Sequence, residues 1–566
     1  GVVTPFLSYG RSSMLANCLA IGVVLGIARR QGPVRAHLRV PLRNLAAVLA
    51  LAAVAVWSRA AWVQVVKADQ FAVAPSLSEQ ADGHIRFEYN PRLLAASSLI
   101  PRGTIFDRNG LPLATSAPHL IKTSVESYRS SGIVSARTCA AADPRCYPLG
   151  GAGFSVIGDW ARQTNWGARN SSYLERDSDA RLRGYNDRQR VVEVIDPRTG
   201  ASQRTIRRDY RELLPLARHR DDPTHPAVAA LLNRNRDVRS SIDARLQSRV
   251  ATVLRDGIEN GGHARGAAVV LDVDTGEVLA SVSYPWPEMS GGGPAAGASD
   301  DATLDRARYG LYPPGSTFKL LVAGAALRSP GSPESSTFQC VRLPGGRVGN
   351  FVHGWSRPIR DDQRDSSPHG SVDLHRGLVS SCNAYFAQLA LRLGPQPILD
   401  AAAVFQIDAA RPATAASLRR TLPHAGYGQG DVLASPLKMA RMAAAIAARG
   451  LVVPVQWFAA PDLTDEHPHR FLSEADALLL GRYMREAVIA GSVRALVANP
   501  TPIAGKTGTA QVAGAPSHSW FVGFAPYGGP RQLAFAVIVE NAGYGARAAA
   551  PVAGSIVTAA RELGLF

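Results

Sequence analysis

Acidic residues are scarce in this chain. Its 566 residues include 45 Asp and Glu against 62 Lys and Arg, leaving a net charge of +17. Such a surface is drawn to anionic partners: nucleic acid, acidic lipid headgroups or acidic wall polymers. Nucleic acid is set aside, because no finger spacing, RNP-like aromatic run or basic heptad region is present. Arginine is instead scattered, densest from Gln203 to Arg220, as on a solvated face. Cysteine is also rare: Cys18, Cys139, Cys146, Cys340 and Cys382. None stands in a Cys-x-x-Cys pair, which argues against zinc, and no metal or cofactor is expected. Cys139 and Cys146 either close a local disulfide in an oxidising compartment or stay as two thiols. The cluster Asp465–Arg470 reads as a polar loop. No His-Glu-x-x-His occurs and no cleavable signal peptide is visible, whereas 46% hydrophobic residues exclude wholesale disorder.

Two uncharged apolar runs stand near the start, Ser12–Ala28 and Asn44–Ser58, the second extending to Val66. About 20 helical residues cross a hydrocarbon core, so both runs are candidate spans. Between them lie Arg29, Arg30, Arg35, Arg39 and Arg43 with no acidic residue. The positive-inside rule makes residues 31–43 a cytoplasmic loop and 44–66 an anchor, with the rest of the chain outside. The opening words Pro5, Phe6, Ser8, Tyr9, Gly10, Ser12 and Ser13 resemble the last outer loop and final helix of the SEDS family. These are membrane glycosyltransferases that polymerise peptidoglycan strands. Arg11 replaces that family's second glycine. The resemblance implies that residues 1–30 are the tail of such a protein, without polymerase activity of its own here, and that a SEDS glycosyltransferase, fused upstream or separate, is the partner.

The remainder reads as a folded α+β protein. A β-hairpin is expected around Thr104–Phe106 and the turn Arg108-Asn109-Gly110, followed by an irregular polar stretch to about Arg239. Asp243 is placed to cap a helix with Leu246, Val250 and Leu254 on its apolar face. A second hairpin turns at Asp274-Thr275-Gly276, and a glycine-rich stretch after Met289 reads as a mobile loop.

Three short words carry the chemistry. Ser316 and Lys319 follow Pro313-Pro314-Gly315, which suits a chain turning into a helix where free N–H groups favour an oxyanion. Lys319 lies nearly one turn on and, once desolvated, can serve as base to the Ser316 hydroxyl. Ser381 and Asn383 precede a helical pattern; the hydroxyl can relay a proton and the amide can bind substrate backbone. Lys506-Thr507-Gly508-Thr509 reads as an edge strand whose glycine admits a peptide and whose polar groups hold a carboxylate.

Ser-x-x-Lys, Ser-x-Asn and Lys-Thr-Gly, in that order, are the signature of penicillin-recognising serine acyltransferases. Arg102–Ala114 resembles the opening motif of class B penicillin-binding proteins, and Gly426–Ala447 their Gly-Gln-Gly turn and following helix. Residues 146–159 and 172–184 resemble their pedestal link. The resemblance runs from about Ile100 to the C-terminus. It implies a β-rich pedestal over 67–239 and a transpeptidase domain over 240–566, with an antiparallel sheet flanked by helices. It also implies an oxyanion hole from the N–H groups of Ser316 and Thr509. The expected reaction is crosslinking of stem pentapeptides through a Ser316 acyl-enzyme, blocked by β-lactams. A β-lactamase, a D,D-carboxypeptidase and a non-catalytic β-lactam sensor are the alternatives.

Overall fold

A computed structural model describes Gly22, Val23, Gly26 and residues 36–133, 139, 143–196, 198–331, 333–459, 466–491, 493 and 496–566. It contains two compact units. One comprises the chain up to Ser97 with Asp187–Arg220, and the other Ser98–Asn186 with Asp221–Phe566.

The first unit contains a long helix, Ala36–Ala61. Within and just beyond it, Arg43–Val66 is long and apolar enough to cross a membrane, and Leu51 and Trp57 are 70% and 77% exposed. Arg39 and Arg43, expected in a loop, lie inside this helix. The local run of Ala, Leu and Arg has good helix propensity, which charge alone does not oppose. Most of the first apolar run and all of the SEDS-like loop fall outside the described residues. Two hairpins follow, Ser76–Glu79 with Ile85–Glu88 and Arg190–Ile195 with Ser202–Arg207. The Ile85 N–H donates to Gln203 Oε1 at 3.1 Å and ties them together.

The second unit opens with the expected hairpin, Ile105–Phe106 against Pro112–Ala114. Its turn is held by buried Asp107, whose carboxylate accepts the N–H groups of Asn109 and Leu111 and also that of Ala244. The last bond fastens the motif to α1 (Ala244–Asn260), which Asp243 caps as expected. Leu246, Val250 and Leu254 of α1 are fully buried. Each such side chain contributes about 1.5–3 kcal/mol.

Between Pro118 and Arg183 the chain forms mostly short helices, so this part of the expected pedestal is less β-rich than the resemblance implies. It lacks the period-two apolar alternation that a strand needs to bury one face. Cys139 and Cys146 are joined as a disulfide. The glycine-rich stretch forms a tight hairpin, Met289–Ser290 with Gly293–Pro294, held by Arg162 donating to the Pro294 carbonyl.

The core is one antiparallel sheet. Its strands are β1 (Gly266–Asp272), β2 (Val278–Tyr284), β3 (Ala504–Val512), β4 (Ala515–Ala525) and β5 (Leu533–Val539), in the order β3-β4-β5-β1-β2. In β1, Ala267, Val269 and Leu271 join one core and Ala268 and Val270 the other. Helix α1 and the C-terminal helix Ala549–Glu562 cover the second face. The core on the first face is shared by α2 (Lys319–Arg328), α3 (Asn383–Leu393) and α4 (Pro436–Ala447), with α4 and the helix Glu474–Ile489 lying directly on the strands. Strand β3 is thus an edge with its outer side unpaired within the sheet, facing the starts of α2 and α3.

Candidate active site

Three elements bring the motif residues together. Gly315–Phe318 is a single 3₁₀ turn that runs directly into α2, so Ser316 sits in the turn and Lys319 begins the helix. The turn is anchored on several sides. Gly315 N–H donates to Gly428 O at 3.0 Å, Trp520 Nε1 to Pro313 O at 3.0 Å, and Thr317 Oγ1 to Pro314 O at 2.7 Å.

Two glycines permit the approach of the turn to β3. Gly315 has φ of +55°, and a Cβ there would lie 2.9 Å from Thr509 O and 3.1 Å from Ala510 N. A Cβ on Gly508 would lie 2.7 Å from Pro314 O. The turn bearing Ser316 therefore packs backbone to backbone against the Lys-Thr-Gly strand.

Ser381 precedes α3 and adopts the left-handed conformation, φ 61°, which a non-glycine residue enters only when its surroundings hold it there. Its hydroxyl lies between two lysines. Lys506 Nζ donates to Ser381 Oγ at 2.8 Å, and Lys319 Nζ approaches the same oxygen at 3.2 Å. Lys319 Nζ also donates to Ser381 O at 2.5 Å and to Asn383 Oδ1 at 2.7 Å. The hydrogen bonds of Lys319 are thus with the Ser381–Asn383 limb, and among the described residues none joins Lys319 Nζ to the Ser316 hydroxyl that helical spacing places beside it. Lys506 additionally meets Thr507 O at 3.2 Å, and Thr509 Oγ1 accepts the Gly545 N–H at 3.4 Å.

Both lysines are buried. Burial drives the Lys319 ammonium down to about 8, although Asp361 opposes the shift. Lys506 is pushed well below the lysine range, by burial first and by Lys319 second. Two cations so placed repel one another, and the neutral form of one becomes accessible near physiological pH. Such an amine can take a hydroxyl proton.

Behind the Ser381–Asn383 limb lies a group that motif reading missed. Cys340, Asp361, His369 and Cys382 place their ligand atoms within 4.8 Å of one another. The argument against zinc from a missing Cys-x-x-Cys pair does not hold here, because the four donors come from separate segments. Two thiols, an imidazole and a carboxylate form a donor set suited to a thiophilic divalent cation. Burial pushes the Asp361 carboxyl up, but hydrogen bonds from His369 and Cys340, with nearby Lys319, outweigh it and take it to about 2. Its position gives no sequence signal, since Asp361 lies 22 residues before Asn383 and outside any of the three words.

A serine on a tight turn, two desolvated lysines sharing a second serine, and an open strand edge together define a serine acyltransferase. Residues 266–558 match the penicillin-binding protein transpeptidase domain, more than half of the chain, and the protein belongs to that family. It is 29% identical to the peptidoglycan D,D-transpeptidase PbpA of Mycolicibacterium smegmatis over 367 residues, 57% of this chain and 73% of the relative. Its fold resembles that of penicillin-binding protein A from M. tuberculosis in a penicillin G acyl-enzyme complex. That similarity has a TM-score of 0.57 and 25% identity, covering 82% of this chain and all of the other. It also resembles Pseudomonas aeruginosa PBP2 in complex with WCK 5153, with a TM-score of 0.55 and 25% identity, covering 81% and 96% of the two chains.

Proposed function

We infer that the protein is a peptidoglycan D,D-transpeptidase that crosslinks stem peptides through an acyl-enzyme and is inhibited by β-lactams. The observation that carries this reading is the convergence of buried Lys319 and Lys506 on Ser381 beside the Ser316 turn.

Neutral Lys319 accepts the Ser316 proton as Oγ attacks the penultimate D-Ala carbonyl. The N–H groups of Ser316 and Thr509 stabilise the oxyanion. Ser381, between the two lysines, passes a proton to the departing D-Ala amine. Asn383 binds the donor backbone, while Lys506, Thr507 and Thr509 hold the terminal carboxylate and Gly508 lets the donor lie close to β3. An amine from a second stem then attacks the ester, gives up its proton through the same groups and frees Ser316.

The proposal extends to the whole chain. Residues 44–66 anchor it in the cytoplasmic membrane with 67–239 as pedestal and 240–566 as transpeptidase domain, both extracytoplasmic. Residues 1–30 keep the SEDS-like tail, and a SEDS glycosyltransferase is the partner. The anchor, the pedestal and the SEDS-like tail favour this reading over a secreted, purely hydrolytic carboxypeptidase or β-lactamase, which needs none of them.

Incubation with glycan strands bearing pentapeptides distinguishes these readings. A transpeptidase yields crosslinked dimers together with free D-Ala. Stoichiometric D-Ala release with tetrapeptide monomers alone would make the protein a carboxypeptidase.

A further inference from the structure

The Ser381–Asn383 limb is strained at one residue and exacting at another. Ser381 is left-handed, and the Asn383 carboxamide must aim its oxygen at Lys319. Neither requirement is met by α3 itself, because the first N–H groups of a helix have no partner within it.

The missing partners come from the segment Arg360–Asp361. Asp361 is 4% exposed. Its Oδ1 accepts the backbone N–H groups of both Asn383 and Ala384, the latter at 3.0 Å. Arg360 O, one residue earlier, accepts Asn383 Nδ2 at 3.0 Å and so fixes which way the carboxamide faces. Asp361 is itself held from two sides. Its N–H donates to Val348 O at 2.9 Å, and its carbonyl accepts from Arg347 Nη2 at 3.1 Å. Oδ2 takes the Cys340 and Cys382 thiols at 3.0 and 3.2 Å, with His369 Nδ1 at 3.3 Å. The two oxygens therefore have separate tasks, one facing the start of α3 and the other the thiol–imidazole cluster.

We propose that Asp361 is the positioning residue of the catalytic limb: by accepting the Asn383 and Ala384 N–H groups it holds Ser381 and Asn383 where Lys319 and Lys506 meet them. This rests on the acyl-transfer reading of the site, and acts through Asn383 with no contact to substrate.

Asp361→Asn and Asp361→Ala, made in the full-length protein, separate this role from others. Asparagine keeps a side-chain oxygen for the two N–H groups but loses the charge; alanine loses both. Saturation kinetics with a fluorescent penicillin, scored only on protein that melts cooperatively, is the readout. Asp361→Asn should acylate within about threefold of the parent. Asp361→Ala should lose about 100-fold in the limiting acylation rate, the order expected when a catalytic group is misplaced by about an ångström. A merely structural role would lower the melting temperature and leave the rate of the folded fraction alone. A parental rate in Asp361→Ala would overturn the proposal. So would an Asn variant as slow as the Ala variant, which would assign the effect to the charge or to a bound cation. If Asp361→Ala fails to fold, Asp361→Ser takes its place with the same loss expected, because the shorter side chain withdraws the acceptor from the two N–H groups. Absence of acylation in the active-site parent would instead remove the underlying functional reading.

Discussion

Lys319 and Lys506 bring two cationic side chains to one hydroxyl while 0% and 1% exposed. Each would be costly if charged, and the cost is what makes a base of Lys319. Only its neutral amine can take the Ser316 proton, and its ammonium loses that proton near pH 8. Acylation should therefore rise with pH up to about 8 and level off above it, dropping about tenfold for each unit well below that value. Stopped-flow acylation between pH 6 and 9.5 tests this, and a flat profile would remove Lys319 from the role of base. Lys319→Ala should then cost about 10²–10⁴-fold, the range for loss of a general base. Ser316, Lys319, Ser381, Asn383 and Lys506 were legible in the sequence because each stands in a short word of fixed spacing. Asp361 and His369 were not, because they join the site through tertiary packing of loop positions flanking short strands, which carry no local pattern.

At the scale of elements, the capped helix at Asp243, both hairpins and the edge strand at Lys506 followed from period, cap and turn residues. The helices between Pro118 and Arg183 did not, being too short to show a period. Nor did the mutual approach of the Ser316 turn and β3, which depends on two glycines nearly 200 positions apart. Gly508→Ala tests that approach. Its Cβ would meet Pro314 O at 2.7 Å and the side-chain atoms Thr317 Cγ2 and Trp520 Cβ at 3.0 Å each, so the backbone contact has to give. Overpacking of this kind costs about 1–3 kcal/mol, and the displaced turn should lower acylation by about 100-fold. Parental acylation in Gly508→Ala would show that the turn tolerates a looser seat on the strand.

At the scale of the whole molecule, charge and hydropathy support the proposed orientation. Five arginines precede or open the apolar helix, and the catalytic sequence follows it. In intact cells, a cysteine introduced near Gln80 should react with a membrane-impermeant thiol reagent, while one near Arg35 should not, in a background lacking the native cysteines. Labelling near Arg35 with protection near Gln80 would place the catalytic unit in the cytoplasm, away from its proposed substrate. The account rests most of all on Ser316 as the acylated residue. Intact-protein mass spectrometry after exposure to a penicillin should show one covalent adduct, and peptide mapping should place it on the segment from Tyr312 to Lys319. Ser316→Ala, which keeps the backbone of the turn, should carry none. An adduct on another residue, or an undiminished adduct in Ser316→Ala, would contradict the assignment of the nucleophile.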